Sequence, residues 1–69
     1  MNIKEKRLSM NYTMKQVADM VNISEGMYSL IESEKRRPSV KVAKSLGLVL
    51  GVEWTDFFND VKAELAVNL

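Results

Sequence analysis

The sequence predicts an all-α fold of five short helices, near residues 2–10, 13–20, 24–32, 40–50 and 53–58. Apolar residues recur at helical spacing, as in Val17, Ala18 and Val21, and again in Ala43, Leu46 and Leu50. Side chains suited to helix capping stand where the periodic stretches begin, at Thr13, Ser24 and Ser39. A single proline, Pro38, interrupts the run between 13 and 50. No sheet is expected in that run.

In the first stretch Asn2 can cap a helix, and Ile3, Arg7 and Met10 fall on one side of it. Asn11 suits the bend that follows, because asparagine tolerates left-handed backbone best after glycine. Tyr12 is placed to pack as a hydrophobic staple ahead of the next helix. There Thr13 and Gln16 have the spacing of a capping box, in which two side chains satisfy free amides of the first turn. Val17, Ala18 and Val21 give this helix one buried face. Asn22 again fits a left-handed corner, and Ser24 caps a third helix whose Tyr28 and Ile31 point back at the second. Two short helices joined by so brief a turn cross steeply and leave the outer face of the later one free. That is the geometry of a helix-turn-helix.

Residues 33–39, SEKRRPS, form the one clear loop. Pro38 keeps residue 37 out of a helix, and Ser39 caps the next one. Val40, Ala43, Leu46, Gly47 and Leu50 then make a core face, with Gly51 in the place of a helix-ending glycine. A mid-helix glycine costs about 1 kcal/mol against alanine, so Gly47 points to close packing there. Leu48 faces away from that stripe. Residues 53–58, EWTDFF, read as a short fifth helix whose Trp54, Phe57 and Phe58 close the core.

The sequence divides into a domain at 1–58 and a C-terminal tail at 59–69. In the tail, Val61, Ala63, Leu65, Val67 and Leu69 alternate with Lys62, Glu64, Ala66 and Asn68, a strand pattern. The run Lys-Ala-Glu-Leu-Ala is equally good helix-forming sequence. A dimer strand, an extra helix packed on the domain and a frayed end all remain open.

Composition narrows the function. Sixty-nine residues, 46% of them hydrophobic, support one small core and a stability of about 5 kcal/mol or a little more. Cysteine and histidine are both absent, which removes disulfides, the usual zinc sites and the common nucleophile–base pairs. No enzyme, metal or cofactor is expected. No apolar run nears the roughly 20 residues that span a bilayer, and the N-terminus is too polar for a signal peptide. A cytoplasmic protein without a membrane partner is the expectation. Net charge is only +1, but it is unevenly spread. Residues 1–50 carry nine Lys/Arg against five Asp/Glu, while residues 51–69 carry Lys62 against four acids. A basic body with an acidic end suits one face meeting phosphate, although ordinary solvated charge gives the same count.

Thr13, Ala18, Ile23-Ser24, Ile31-Glu32 and Lys35-Arg36-x-Pro38-Ser39, in this order, resemble the Cro/repressor-type (XRE-like) helix-turn-helix domain of phage and bacterial transcriptional regulators. The resemblance runs from Ile3 to Phe58 and implies a compact, five-helix, lambda-repressor-like fold. It also implies an ion pair between Arg7 on the first helix and Glu32 ending the third. The sequence departs from the family at Lys6, where an apolar residue is usual, and at Ser33-Glu34, where Asn-Gly is usual. Glu34 thus occupies a position that often needs positive φ.

The same resemblance places double-stranded DNA against the third helix, with Glu25, Gly26, Met27, Ser29 and Leu30 at the base-reading positions. Arg, Lys, Gln and Asn, the usual readers of guanine and adenine, are absent between Ser24 and Glu32. Glu25 suits a cytosine amino group, Met27 and Leu30 suit thymine methyls, and Ser29 bonds either way. The plain alternative for Glu25 is that a first-turn acid complements the helix dipole. Lys15, Lys35, Arg36, Arg37, Lys41 and Lys44 are the candidate phosphate contacts. Met14 replaces a commonly phosphate-contacting glutamine, and with Met27 and Leu30 it could form an apolar strip. Two functions follow. One is a DNA-binding regulator of phage or mobile-element type, expected to be a homodimer. The other is an antirepressor that turns the same face to a partner repressor protein.

Overall fold

A computed structural model describes residues 2–58. α1 spans Ile3–Ser9, α2 Met14–Met20, α3 Glu25–Glu32 and α4 Val40–Leu50, and a 3₁₀ helix follows at Trp54–Phe58. No strand occurs among the described residues. The short fifth helix expected at 53–58 is present as a 3₁₀ helix over Trp54–Phe58. It has five residues, and the Asp56 amide donates three residues back, to the Glu53 carbonyl at 3.0 Å. The tail at 59–69, open between strand and helix in the sequence, lies outside the described residues.

Each α-helix starts on a side-chain cap. Asn2 accepts from the Glu5 amide at 3.1 Å, Ser24 from Met27 at 3.0 Å and Ser39 from Val42 at 3.2 Å. At α2 the capping box is closed both ways: Thr13 Oγ1 accepts from the Gln16 amide at 3.0 Å, and Gln16 Oε1 accepts from the Thr13 amide at 2.8 Å. Each such cap contributes about 1 kcal/mol. The corners between helices are left-handed at Asn11, Asn22 and Glu34, with φ of 60°, 61° and 62°. Asparagine bears this with little cost, whereas Glu34 pays roughly 1–2 kcal/mol in strain.

The core is built from Ile3, Val17, Ala18, Val21, Tyr28, Ile31, Leu46 and Leu50. α2 and α3 pack against each other, and α4 closes the core from below, reaching both α1 and α2. Three placements differ from the sequence reading. Val40, expected in the core, is 52% exposed. It stands at the first turn of α4, where the preceding Pro38 is buried and Val40 is not. Met10 is exposed where α1 ends. Trp54, Phe57 and Phe58 are half-buried, covering α4 and not filling the centre. Gly47 makes that cover possible. A Cβ there would lie 2.9 Å from the Val52 carbonyl oxygen and 3.2 Å from Trp54 Cβ.

Candidate nucleic-acid interface

α3 is fixed at both ends. Ser24 caps its start, and at its end Glu32 receives a bidentate contact from Arg7, Nε to Oε2 at 2.8 Å and Nη2 to Oε1 at 3.1 Å. Arg7 Nη1 also donates to the Tyr12 carbonyl at 2.9 Å, so one guanidinium ties α1, the approach to α2 and the end of α3. Both side chains are 9% exposed. The hydrogen bond to Glu32 raises the Arg7 pKa. Burial pushes the Glu32 carboxyl upward, but the Arg7 hydrogen bond and charge outweigh it and hold it below its ordinary value. The Tyr28 hydroxyl is buried beside this pair and closes no hydrogen bond of good geometry. Burial first, and then the Glu32 carboxylate, push its pKa up.

With Tyr28 and Ile31 turned into the core, the opposite side of α3 is open. Glu25, Gly26, Ser29 and Leu30 are all exposed there, Leu30 by 40%. Met27 is half-buried and packed on the core, as is Met14. The apolar strip expected from Met14, Met27 and Leu30 is therefore not continuous. Met14 shares the i, i+3, i+4, i+7 stripe of Val17, Ala18 and Val21, and Met27 shares the stripe of Ile31. Only Leu30 of the three is exposed.

The loop after α3 is pinned to the helix it follows. The Lys35 and Arg36 amides both donate to the Leu30 carbonyl, at 2.9 and 3.2 Å, and the Glu34 amide donates to Ile31 at 3.1 Å. These bonds satisfy carbonyls that the helix end leaves open. They also hold the backbone of Lys35 and Arg36 against the end of α3. Arg36 and Arg37 border a small open groove floored by Met27, Ile31, Pro38 and Val42.

The remaining candidate cations are spread more widely. Lys41 is exposed near the start of α4. Lys15 pairs with Asp19 across one turn of α2 at 3.4 Å. The Lys44 ammonium lies 5.1 Å from the centre of the Trp54 ring, on the seam between α4 and the 3₁₀ helix.

Two participants escaped the sequence reading. One is the Tyr12 carbonyl, which no residue type can signal. The other is the Tyr28 hydroxyl, for which the i, i+4 spacing of Tyr28 and Glu32 was an available sign.

A helix-turn-helix family model matches residues 3–57. The chain belongs to the XRE-type helix-turn-helix family. A relative within the same broad class is the uncharacterised HTH-type transcriptional regulator YqaF of Bacillus subtilis strain 168. It is 41% identical over 66 residues, covering 96% of this chain and 87% of the relative. No solved structure matches the chain significantly. For this helix-turn-helix protein the match takes in all four α-helices and the pinned basic loop. No described helix is long and apolar enough to cross a membrane.

Proposed function

We propose that the chain is a DNA-binding transcription regulator that lays α3 in the major groove and acts as a dimer. The observation that carries this reading is the open face of α3 bordered by a basic loop, Lys35-Arg36-Arg37, whose first two backbone amides bond the Leu30 carbonyl at the helix end. Phosphate contacts supply affinity and fix position, and an exposed helix face at groove depth supplies sequence readout. Family membership and the name of the Bacillus relative support the same reading. Dimerisation is proposed because helix-turn-helix proteins read two half-sites one turn of DNA apart. The phage or mobile-element type is proposed on the resemblance to Cro-type repressors. Glu25, Gly26, Ser29 and Leu30 are the proposed base-side residues, with Met27 at their inner edge. Lys35, Arg36, Arg37 and Lys41 are the proposed phosphate contacts; Lys15, Lys44 and Arg37 would first leave the partners they have within the fold.

The antirepressor reading draws on the exposed Leu30 and the acid Glu25. Met14 and Met27 are partly buried against the core, which reduces the apolar surface that this reading needs. Titrating the protein against mixed-sequence duplex at low and moderate salt tests the choice. A DNA-binding regulator binds at low salt and weakens steeply as salt rises. Absence of binding at low salt would turn the assignment to a partner protein.

A further inference from the structure

We infer that α3 reads a pyrimidine-marked half-site, a cytosine amino group through Glu25 and a thymine methyl through Leu30, without a bidentate contact to guanine. The inference rests on the DNA-binding reading and names the base chemistry of that same face.

At about 100° per residue, Glu25, Ser29, Gly26 and Leu30 occupy one arc of roughly 140°. Tyr28 and Ile31 are buried on the other side. Neither the Glu25 nor the Ser29 side chain is held in a hydrogen bond with a described residue. Glu25 lies in the first turn of α3, the turn that comes nearest the bases. An ionised carboxylate only accepts. Guanine presents two acceptors to it, and adenine sets an acceptor beside its amino group. Cytosine alone offers an amino donor with no acceptor on its own major-groove edge. Glu25 therefore selects by repelling the other bases as well as by bonding to this one. Leu30 has no polar atom to offer and is exposed where the thymine methyl is the complementary group. Between them a Cβ on Gly26 would meet nothing within 4 Å. That open space lets a base edge approach the helix backbone.

The test is selection of half-sites from a random duplex library with the full chain, followed by anisotropy titrations on the selected duplex. Enriched sites should carry cytosine and thymine at α3-contacted positions. Replacing the contacted thymine by uracil should weaken binding about fourfold, the value of one methyl group. Leu30→Ala should erase that difference. Glu25→Gln should move the preference at its position from cytosine to adenine, by about tenfold. A cooperative thermal melt shows that each variant is folded. Guanine enrichment that survives Glu25→Gln, indifference to uracil, or no enrichment despite low-salt binding overturns the inference alone. Loss of low-salt binding in the unaltered protein overturns the DNA-binding reading with it.

Discussion

Arg7 grips both carboxylate oxygens of Glu32 across 25 positions of sequence, at 2.8 and 3.1 Å, and its remaining nitrogen holds the Tyr12 carbonyl at 2.9 Å. Removing either partner leaves the other charge buried without its counterpart. Arg7→Met or Glu32→Gln should therefore lower stability on the order of 3 kcal/mol. The double variant should lose less than the sum, because the second change removes the stranded group. Urea melts of the four proteins measure both quantities. Small additive losses would reduce the pair to a surface contact.

The same cluster sets the pH response. The folded Glu32 pKa lies below its ordinary value, so its stabilisation is present above the unfolded pKa of about 4.3 and fades as pH falls through the folded one. The Tyr28 pKa is raised, so its stabilisation is present below about pH 10 and fades as pH climbs further. Glu32→Gln should flatten the acid limb of a plot of Tm against pH. Tyr28→Phe should flatten the alkaline limb, with little loss at neutral pH because the hydroxyl closes no good hydrogen bond.

Two helical glycines should respond oppositely to alanine. At Gly47 the new methyl meets the Val52 carbonyl oxygen at 2.9 Å, a backbone atom with little freedom to move. Overpacking costs about 1–3 kcal/mol, which exceeds the gain of about 1 kcal/mol in helix propensity. Gly47→Ala should be net destabilising. At Gly26 nothing lies within 4 Å, so Gly26→Ala should stabilise by up to about 1 kcal/mol. Thermal melts of the two variants decide the sign of each.

Salt dependence should expose the role of the pinned loop. Replacing Lys35 and Arg36 by alanine should reduce the log–log slope of duplex affinity against salt by about 0.9 per lost phosphate contact. Their backbone amides, which hold the Leu30 carbonyl, are retained in both variants. A slope that does not change would place the phosphates elsewhere on the surface.

What could be read in advance follows from the range of each interaction. Helix starts at Asn2, Thr13, Ser24 and Ser39 were legible because a cap is decided within three or four residues. The 3₁₀ form of Trp54–Phe58 was not, since α and 3₁₀ turns accept the same apolar spacing. Closure of Val52 and Trp54 on Gly47 gives the segment its place. Val40 was misplaced for a related reason. Periodicity names a face, but the neighbouring chain decides whether that face is covered at a helix end. Met14 was misplaced by the resemblance and not by its periodicity, which puts it on the stripe of Val17, Ala18 and Val21. The contact of Arg7 with Glu32 joins distant elements, and only the family resemblance brought those two residues together. On the open side of α3 the residue types are plain, yet a face left exposed by the described residues leaves its partner to be inferred from chemistry.

Trp54, the only tryptophan of the chain, rests under the Lys44 ammonium and edge-on to Phe58, with ring centres 6.3 Å apart. It sits on the cover over α4, not on α3. Its emission is consequently an internal optical gauge of that seam. Denaturation that exposes the indole should change its colour and intensity, whereas a ligand on α3 has no direct route to the chromophore. A fluorescence change on adding duplex would then report either Lys44 leaving the ring for a phosphate or strain carried through the fold to α4, which Lys44→Ala separates, and silence would be compatible with tight occupancy of the open face.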